Sequence, residues 1–408
     1  MRDDRSVPER AAQPVALPPK RRPPLWVLIV ATAMGPLSLQ IVVPSLPGMA
    51  RGFDTTYATA QLALTLYLIG LAVAQLAYGP LSDRFGRRPA LLAGIALFLA
   101  GTLLCLVAQD IGTLLAGRVL QAVGGCAGIV LSRAIVRDLY EREKAASMIA
   151  YITVGMVVAP MLAPIAGAFL DKYWGLSAVF GFVLVFGLLV GVAVLALLHE
   201  THHERRVSSG VADMIGGFVH LLRMRRFRGY SFQVAFTTAS FFSFLGGASY
   251  VTVELMGLEP EDYAFGFVAV SGSYMVGNFV AGRITARVGS DRMITIGTVL
   301  SMVAGFVLLG VTLAGGLSYT LFFLLGGAMS VGNGFSMPNG FAGAVSVDPS
   351  RAGSASGLSG ALQMGTGAVL MTVVGVTLAE SALPVVAMML TGAILAWLAH
   401  LHGLRKQA

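Results

Sequence analysis

The stretch 79-GPLSDRFGRRPALL-92 decides how the chain reads. Asp83, Arg84, Arg87 and Arg88 place four charges within six residues, in a protein of 408 residues of which only 12% are charged. Long apolar runs flank the stretch on both sides. A soluble domain needs roughly 25% Asp, Glu, Lys and Arg to face water. Here 56% of residues are hydrophobic and the mean hydropathy is +0.78. Hydrocarbon takes the place of water, and the charged stretch becomes a turn between two membrane spans.

A helix needs about 20 apolar residues to cross about 30 Å of hydrocarbon. Runs of that kind fall at 25–47, 60–81, 89–108, 112–132, 146–169, 176–198, 230–252, 264–285, 292–314, 318–340, 354–378 and 383–402. The expectation is an all-α polytopic membrane protein with twelve spans. Of the 28 Lys and Arg residues, 25 fall on one set of loops and the tails, and only Arg51 and Lys172 on the opposite loops. The remaining one, Arg118, lies inside a span. By the positive-inside rule both tails are cytoplasmic.

Residues 1–24 read as a disordered tail and 403–408 as a short one. Residues 199–229 form the longest polar connection and divide the chain into two bundles, 25–198 and 230–402. Within this connection Val211, Met214, Ile215, Phe218, Leu221 and Leu222 recur at helical spacing. An amphipathic helix on the inner leaflet is expected, with a solvated linker as the alternative. The two halves share a pattern. GPLSDRFG starts at Gly79 and GRITARVG at Gly282, 203 residues later, and both read G-x-x-x-x-R-x-G after the second span of their half. A duplicated six-helix unit follows.

Several function classes are disfavoured. Cys105 and Cys126 sit in apolar runs and read as packing residues. The histidines cluster in the central connection and at the last helix end. HETHH at 199–203 lacks the order of a metalloprotease motif. No metal, cofactor or nucleic-acid partner is expected, no enzyme, and no nucleotide-driven pump. The expected partners are the bilayer, a small-molecule substrate and a coupling proton, for a protein acting as a monomer.

In the charged turn, Gly79 and Gly86 permit close approach and a tight reversal. Asp83 at the membrane edge gains from a neighbouring helix N-terminus and can pair with arginine. A contact that forms in one packing and breaks in another is a latch. Arg84, Arg87 and Arg88 also serve as plain topology anchors.

The turn resembles the signature loop of the major facilitator superfamily, G-x-L-x-D-R-x-G-R-R. RVLQAVGG from Arg118 resembles the family's fourth-span motif, with Ala122 where glycine is usual. GMVVAPMLAPIAG from Gly155 to Gly167 resembles the fifth-span motif of drug exporters. AIVRDL at 134–139, SMPNGFAGAV at 336–345 and AGSASGLSGALQ at 352–363 resemble the Bcr/CflA-type drug-resistance transporters. The resemblance implies the major facilitator fold and proton-coupled export of small drugs from the bacterial cytoplasm. The alternative is an exporter or facilitator of an endogenous metabolite without proton coupling. That alternative draws on Gln40, which stands in SLQIVVPSLP where the family has Asp, because an amide does not titrate.

Arg118 is costly inside a span and points to a cavity, although a long side chain also snorkels. Gln121 lies one turn away. Gln40, Tyr67, Arg118, Gln121, Asn278 and Gln363 are the candidate substrate-binding residues. Amides in spans also serve simple helix–helix bonding. The latch set is Gly79, Asp83, Arg84, Gly86, Arg87, Arg88, Arg137 and Asp138, with Gly282, Arg287 and Gly289 in the second half. Ala286 replaces the aspartate there, so the latch is expected to be asymmetric. Gly155, Pro160, Pro164 and Gly167 form a pliant gating helix. Glu254 and the Asp83/Asp138 region are the acids left to carry a proton.

Overall fold

Apolar segments in lipid must close their backbone hydrogen bonds internally, and helices do so. The computed structural model describes residues 23–201, 211–378 and 380–404. Most of both terminal tails and of the polar run before residue 211 lies outside them. The helices are α1 (Leu25–Ile41), α2 (Leu46–Gly52), α3 (Tyr57–Phe85), α4 (Arg87–Leu106), α5 (Ile111–Leu139), α6 (Arg142–Trp174), α7 (Leu176–Leu197), α8 (Val211–Arg223), α9 (Arg225–Tyr250), α10 (Pro260–Val288), α11 (Ser290–Leu313), α12 (Tyr319–Ser346), α13 (Ala352–Thr377) and α14 (Leu383–Leu404). A 3₁₀ turn at Val43–Ser45 carries α1 into α2. Among the described residues, eleven helical segments are long and apolar enough to cross a membrane, with Leu25–Gly52 counted as one. The 33-residue α6 completes twelve.

Local chemistry sets the helix starts. Asp110 accepts the Thr113 amide ahead of α5, Thr56 accepts the Thr59 amide ahead of α3, and Ser318 accepts the Leu321 amide ahead of α12. Glu259 and Asp262 form a capping box around Pro260. Several helices outrun the hydrocarbon stretch read from the sequence. α5, for example, continues through Arg133, Arg137 and Asp138.

In the first half α4 and α3 lie against α5, and α1 against α6. In the second, α9 lies against α13 and α14, and α12 against α10 and α11. The duplication is visible in backbone detail. Gly86 turns α3 into α4 at φ 100°, and its N–H donates to the Ser82 carbonyl. Gly289 turns α10 into α11 at φ 93°, and its N–H donates to the Thr285 carbonyl. Both members of the second pair follow the first by the same 203 residues that separate Gly79 from Gly282. A positive φ of this kind favours glycine strongly. The halves meet reciprocally, α3 on α13 and α6 on α10.

The amphipathic helix forms as α8. Leu221 is fully buried in a cluster with Phe227, Ala344, Ala355 and Leu358, and Phe218 and Leu222 pack on the same cluster, while Ile215 and Val219 are exposed.

Close backbone approach fixes α1. A β-carbon at Gly128 would run into the Ala31 carbonyl, and one at Gly167 into the Ile41 carbonyl. Gly181 has open space around it. Gly128→Ala is expected to lower stability by about 1–3 kcal/mol. Gly181→Ala should be neutral or stabilising by up to about 1 kcal/mol. Thermal unfolding in detergent measures both.

Candidate functional site

Between the halves lies a cavity of roughly 2400 Å³. It reaches from Gln40 and Phe241 within the bundle to Asp83, Arg137 and Arg351 at the end that bears the 79–88 turn. Gly216, Gly217 and Phe218 of α8 lie at its rim. The opposite end is sealed across the seam between the halves. Arg51 pairs with Glu254, and Lys172 Nζ lies 2.9 Å from Glu261 Oε2. Tyr57 Oη donates to the Gly246 carbonyl at 2.8 Å. Gln61 Nε2 donates to the Gly246 and Met371 carbonyls at 3.0 and 3.1 Å. A β-carbon at Gly246 or Gly375 would collide with the Gln61 carboxamide, so both sites must stay small for α3 to seat on α9 and α13.

Three of the six candidate binding residues line the cavity and three do not. Gln40, Asn278 and Gln363 are on its wall. Gln363 donates to the Ser359 carbonyl at 3.2 Å, and Asn278 to the Tyr274 carbonyl at 3.3 Å. Gln40 Oε1 is buried and has no hydrogen-bond partner among the described residues. Tyr67, Arg118 and Gln121 are fully buried away from the wall. Arg118 Nε donates to the Ala63 carbonyl at 3.1 Å, and Nη1 to the Ser38 carbonyl at 3.1 Å and to the Gln121 carboxamide oxygen. Its guanidinium lies 4.3 Å from the Tyr67 ring centroid. Tyr67 Oη donates to the Gly35 carbonyl at 3.0 Å, and Gln121 Nε2 to Thr102 Oγ1 at 2.8 Å. This network ties α1, α3, α4 and α5 together. The cavity role expected of Arg118 is therefore corrected to a tie within the first half. Backbone and amide acceptors satisfy its Nε and Nη1, while Nη2 is buried with no partner among the described residues.

The charged turn is organised by Arg87. Its side chain lies 2.6 Å from Asp83 and 3.0 Å from Asp138, and it also donates to Ser82 Oγ. All these partners belong to the first half. The carboxylate at the α4 N-terminus is Glu200, not Asp83. Glu200 accepts the Arg87 and Arg88 amides at 3.0 and 3.2 Å. Asp83 is drawn instead to the guanidinium one turn along. Arg88 donates to the Leu195 carbonyl at 2.9 Å, and Arg84 lies over the Phe85 ring. Arg137 is exposed and donates to the Arg133 carbonyl. In the second half Gly282 and Arg287 are exposed, and only the Gly289 turn repeats the first.

α6 runs unbroken through Gly155, Pro160, Pro164 and Gly167. Pro160 is on the cavity wall and Gly167 seats against α1. Among the acids, exposed Asp110 is held below the usual carboxylate range by the Thr113 hydroxyl and amide, which marks a helix cap. Sequence reasoning missed Gln61, Glu200 and the cavity-lining Arg133. Gln61 was findable as one more amide at the edge of an apolar run.

The family model described as Major Facilitator Superfamily matches residues 28–372. The chain belongs to the major facilitator superfamily. It is 31% identical to the uncharacterized MFS-type transporter YdgK of Bacillus subtilis, over 94% of this chain and 95% of that protein. It is 27% identical to the bicyclomycin resistance protein homolog of Haemophilus influenzae, over 88% of this chain and 90% of that one. Identity to multidrug resistance protein D of Escherichia coli is also 27%, over 83% and 85%. The fold matches that of a bacterial homolog of the human lysosomal transporter Spinster, at TM-score 0.71 and 15% identity, covering 93% of this chain and 97% of that one. This superfamily member is a multi-pass membrane transporter rather than an enzyme.

Arg87 is nearly buried and serves two carboxylates, whereas Arg84 faces solvent. Arg87→Ala should cost about 1–3 kcal/mol by removing the guanidinium that bridges Asp83 and Asp138, and Arg84→Ala less than about 0.5 kcal/mol. Unfolding of the two variants in mixed micelles tests the contrast.

Proposed function

We propose that this protein exports small drug-like molecules from the cytoplasm by alternating access. The observation that carries the reading is the cavity, closed at one end by a seam of polar contacts and open at the other. The excess of Lys and Arg on the loops at the open end supports a cytoplasmic opening and cytoplasmic termini. The wall mixes aromatic and thioether side chains such as Phe241, Phe267 and Met337 with the amides Gln40, Asn278, Asn333 and Gln363. That surface suits amphiphiles of varied shape. Relatives named for bicyclomycin and multidrug resistance support the same substrate class.

Turnover would rock the halves so that the open end closes as the seam parts. Arg51–Glu254 and Lys172–Glu261 lie at the molecular surface, and ion pairs of that kind are weak enough to break in each cycle. Parting the seam separates Glu254 from Arg51, so its partner changes with the transport cycle. Glu254 is thus the acid we assign to proton coupling. Asp83 and Asp138 share Arg87 inside one half, so rocking leaves their pairing in place. Gln40 favours a second reading, uncoupled flux of a metabolite, because its amide occupies the cavity wall where an acid would titrate.

Proteoliposomes with an internal pH dye, a preset proton gradient and added chloramphenicol separate these readings. Drug-triggered proton movement is expected, and Glu254→Gln should retain downhill drug flux while losing the proton signal. Drug flux without proton movement in the unmodified protein would favour the uncoupled reading. Coupling unchanged in Glu254→Gln would remove Glu254 from the mechanism.

A further inference from the structure

The charged residues on the cavity wall are unbalanced. Arg87, Arg133, Arg137 and Arg351 line it, against Asp83 and Asp138. Both aspartates are already held by Arg87, and Arg351 lies 3.8 Å from Asp348. Arg133 and Arg137 meet no carboxylate among the described residues. Arg133 is the deeper of the two. It sits six residues before the end of α5, about 9 Å at 1.5 Å per residue. The contact recorded for its guanidinium is to Met156 Sδ, at 3.4 Å. A thioether is a weak acceptor, and among the described residues the guanidinium of Arg133 has no stronger one. Arg137, one helical turn away, adds positive potential at the same wall. Across the cavity α9 and α10 present Phe241, Phe267, Tyr274 and Phe279.

Resting on the export reading, we propose that the cavity selects anionic amphiphiles and that Arg133 is its anion anchor. A carboxylate, sulfonate or phosphate oxygen pair would take the guanidinium's planar fork in two parallel bonds. The apolar body of the same molecule would lie on the aromatic wall opposite. Lipophilic cations would meet Arg133 and Arg137, while the cavity-lining carboxylates among the described residues, Asp83 and Asp138, are both held by Arg87. The structure removes Arg118 from the wall and supplies Arg133, two residues of similar chemistry separated by four turns of α5.

A matched set of probes tests this. Binding of 1-naphthoate, neutral 1-naphthamide and the cation 1-naphthylmethyl(trimethyl)ammonium is measured on the full-length protein in phosphatidylcholine nanodiscs. The carboxylate should bind about tenfold tighter than the amide, the worth of one charge-assisted contact, and the cation more weakly than either. Arg133→Gln should erase the carboxylate preference and leave amide affinity unchanged, which also shows that the variant is folded. Arg133→Lys should keep part of the preference. Equal affinity for carboxylate and amide, or a preference that survives Arg133→Gln, overturns the anchor and leaves the export reading standing. Binding of no probe overturns both. Repetition in phosphatidylglycerol nanodiscs separates the sources of the anion. A preserved preference assigns the site to a free solute, and a preference abolished by that lipid assigns it to a headgroup, against the proposal.

Discussion

Hydrocarbon provides no hydrophobic drive between helices, so a membrane bundle must be held by close backbone approach and by polar groups that would otherwise be stranded. The first half meets this constraint around Arg118. One guanidinium joins α1 through Ser38, α3 through Ala63 and its own helix through Gln121, which passes the bond on to α4 through Thr102. Glycines at 128 and 167 bring α5 and α6 up to the backbone of α1. The result is a half whose helices are tied to one another. Alternating access requires such rigidity, because an element that bends continuously cannot pass a small change at one end to the other.

The seam is built differently. Its ion pairs lie near the surface, and the Gln61 carboxamide enters between Gly246, Met371 and Gly375. Contacts of this kind hold one arrangement without committing the protein to it. The turn at 79–88 keeps its ion pairs inside the first half, and Glu200 anchors the start of α4 from the far end of α7. The first half is therefore braced at the edge that carries the 79–88 turn while the cavity beside it stays open.

Twelve helices and a duplication could be read directly from the sequence because lipid makes both a matter of composition. Span length follows from membrane thickness, and the repeat shows in residues that fix backbone geometry, as with Gly86 and Gly289. The direction in which a side chain points was less legible. Depth along a helix placed Arg118 inside the membrane, but its azimuth, toward Ser38 and Ala63 rather than the cavity, depends on how α1 packs. Glu200 is 113 residues from the amide it caps, and no local pattern announces that pairing. Amphipathicity found α8 but could not say that Leu221 would be buried against Phe227, Ala344 and Ala355.

The account stands on the two ends of the cavity opening in alternation. Spin labels at exposed Gly52 and Ala314 report the sealed end, and labels at exposed Arg84 and Arg287 report the open one. Distance distributions by double electron–electron resonance in nanodiscs, with and without bound drug, test the coupling directly. The account predicts two populations at each pair, with the long distance at one end rising in step with the short distance at the other. A single unchanging distance at the sealed end, or both ends opening together, would contradict it.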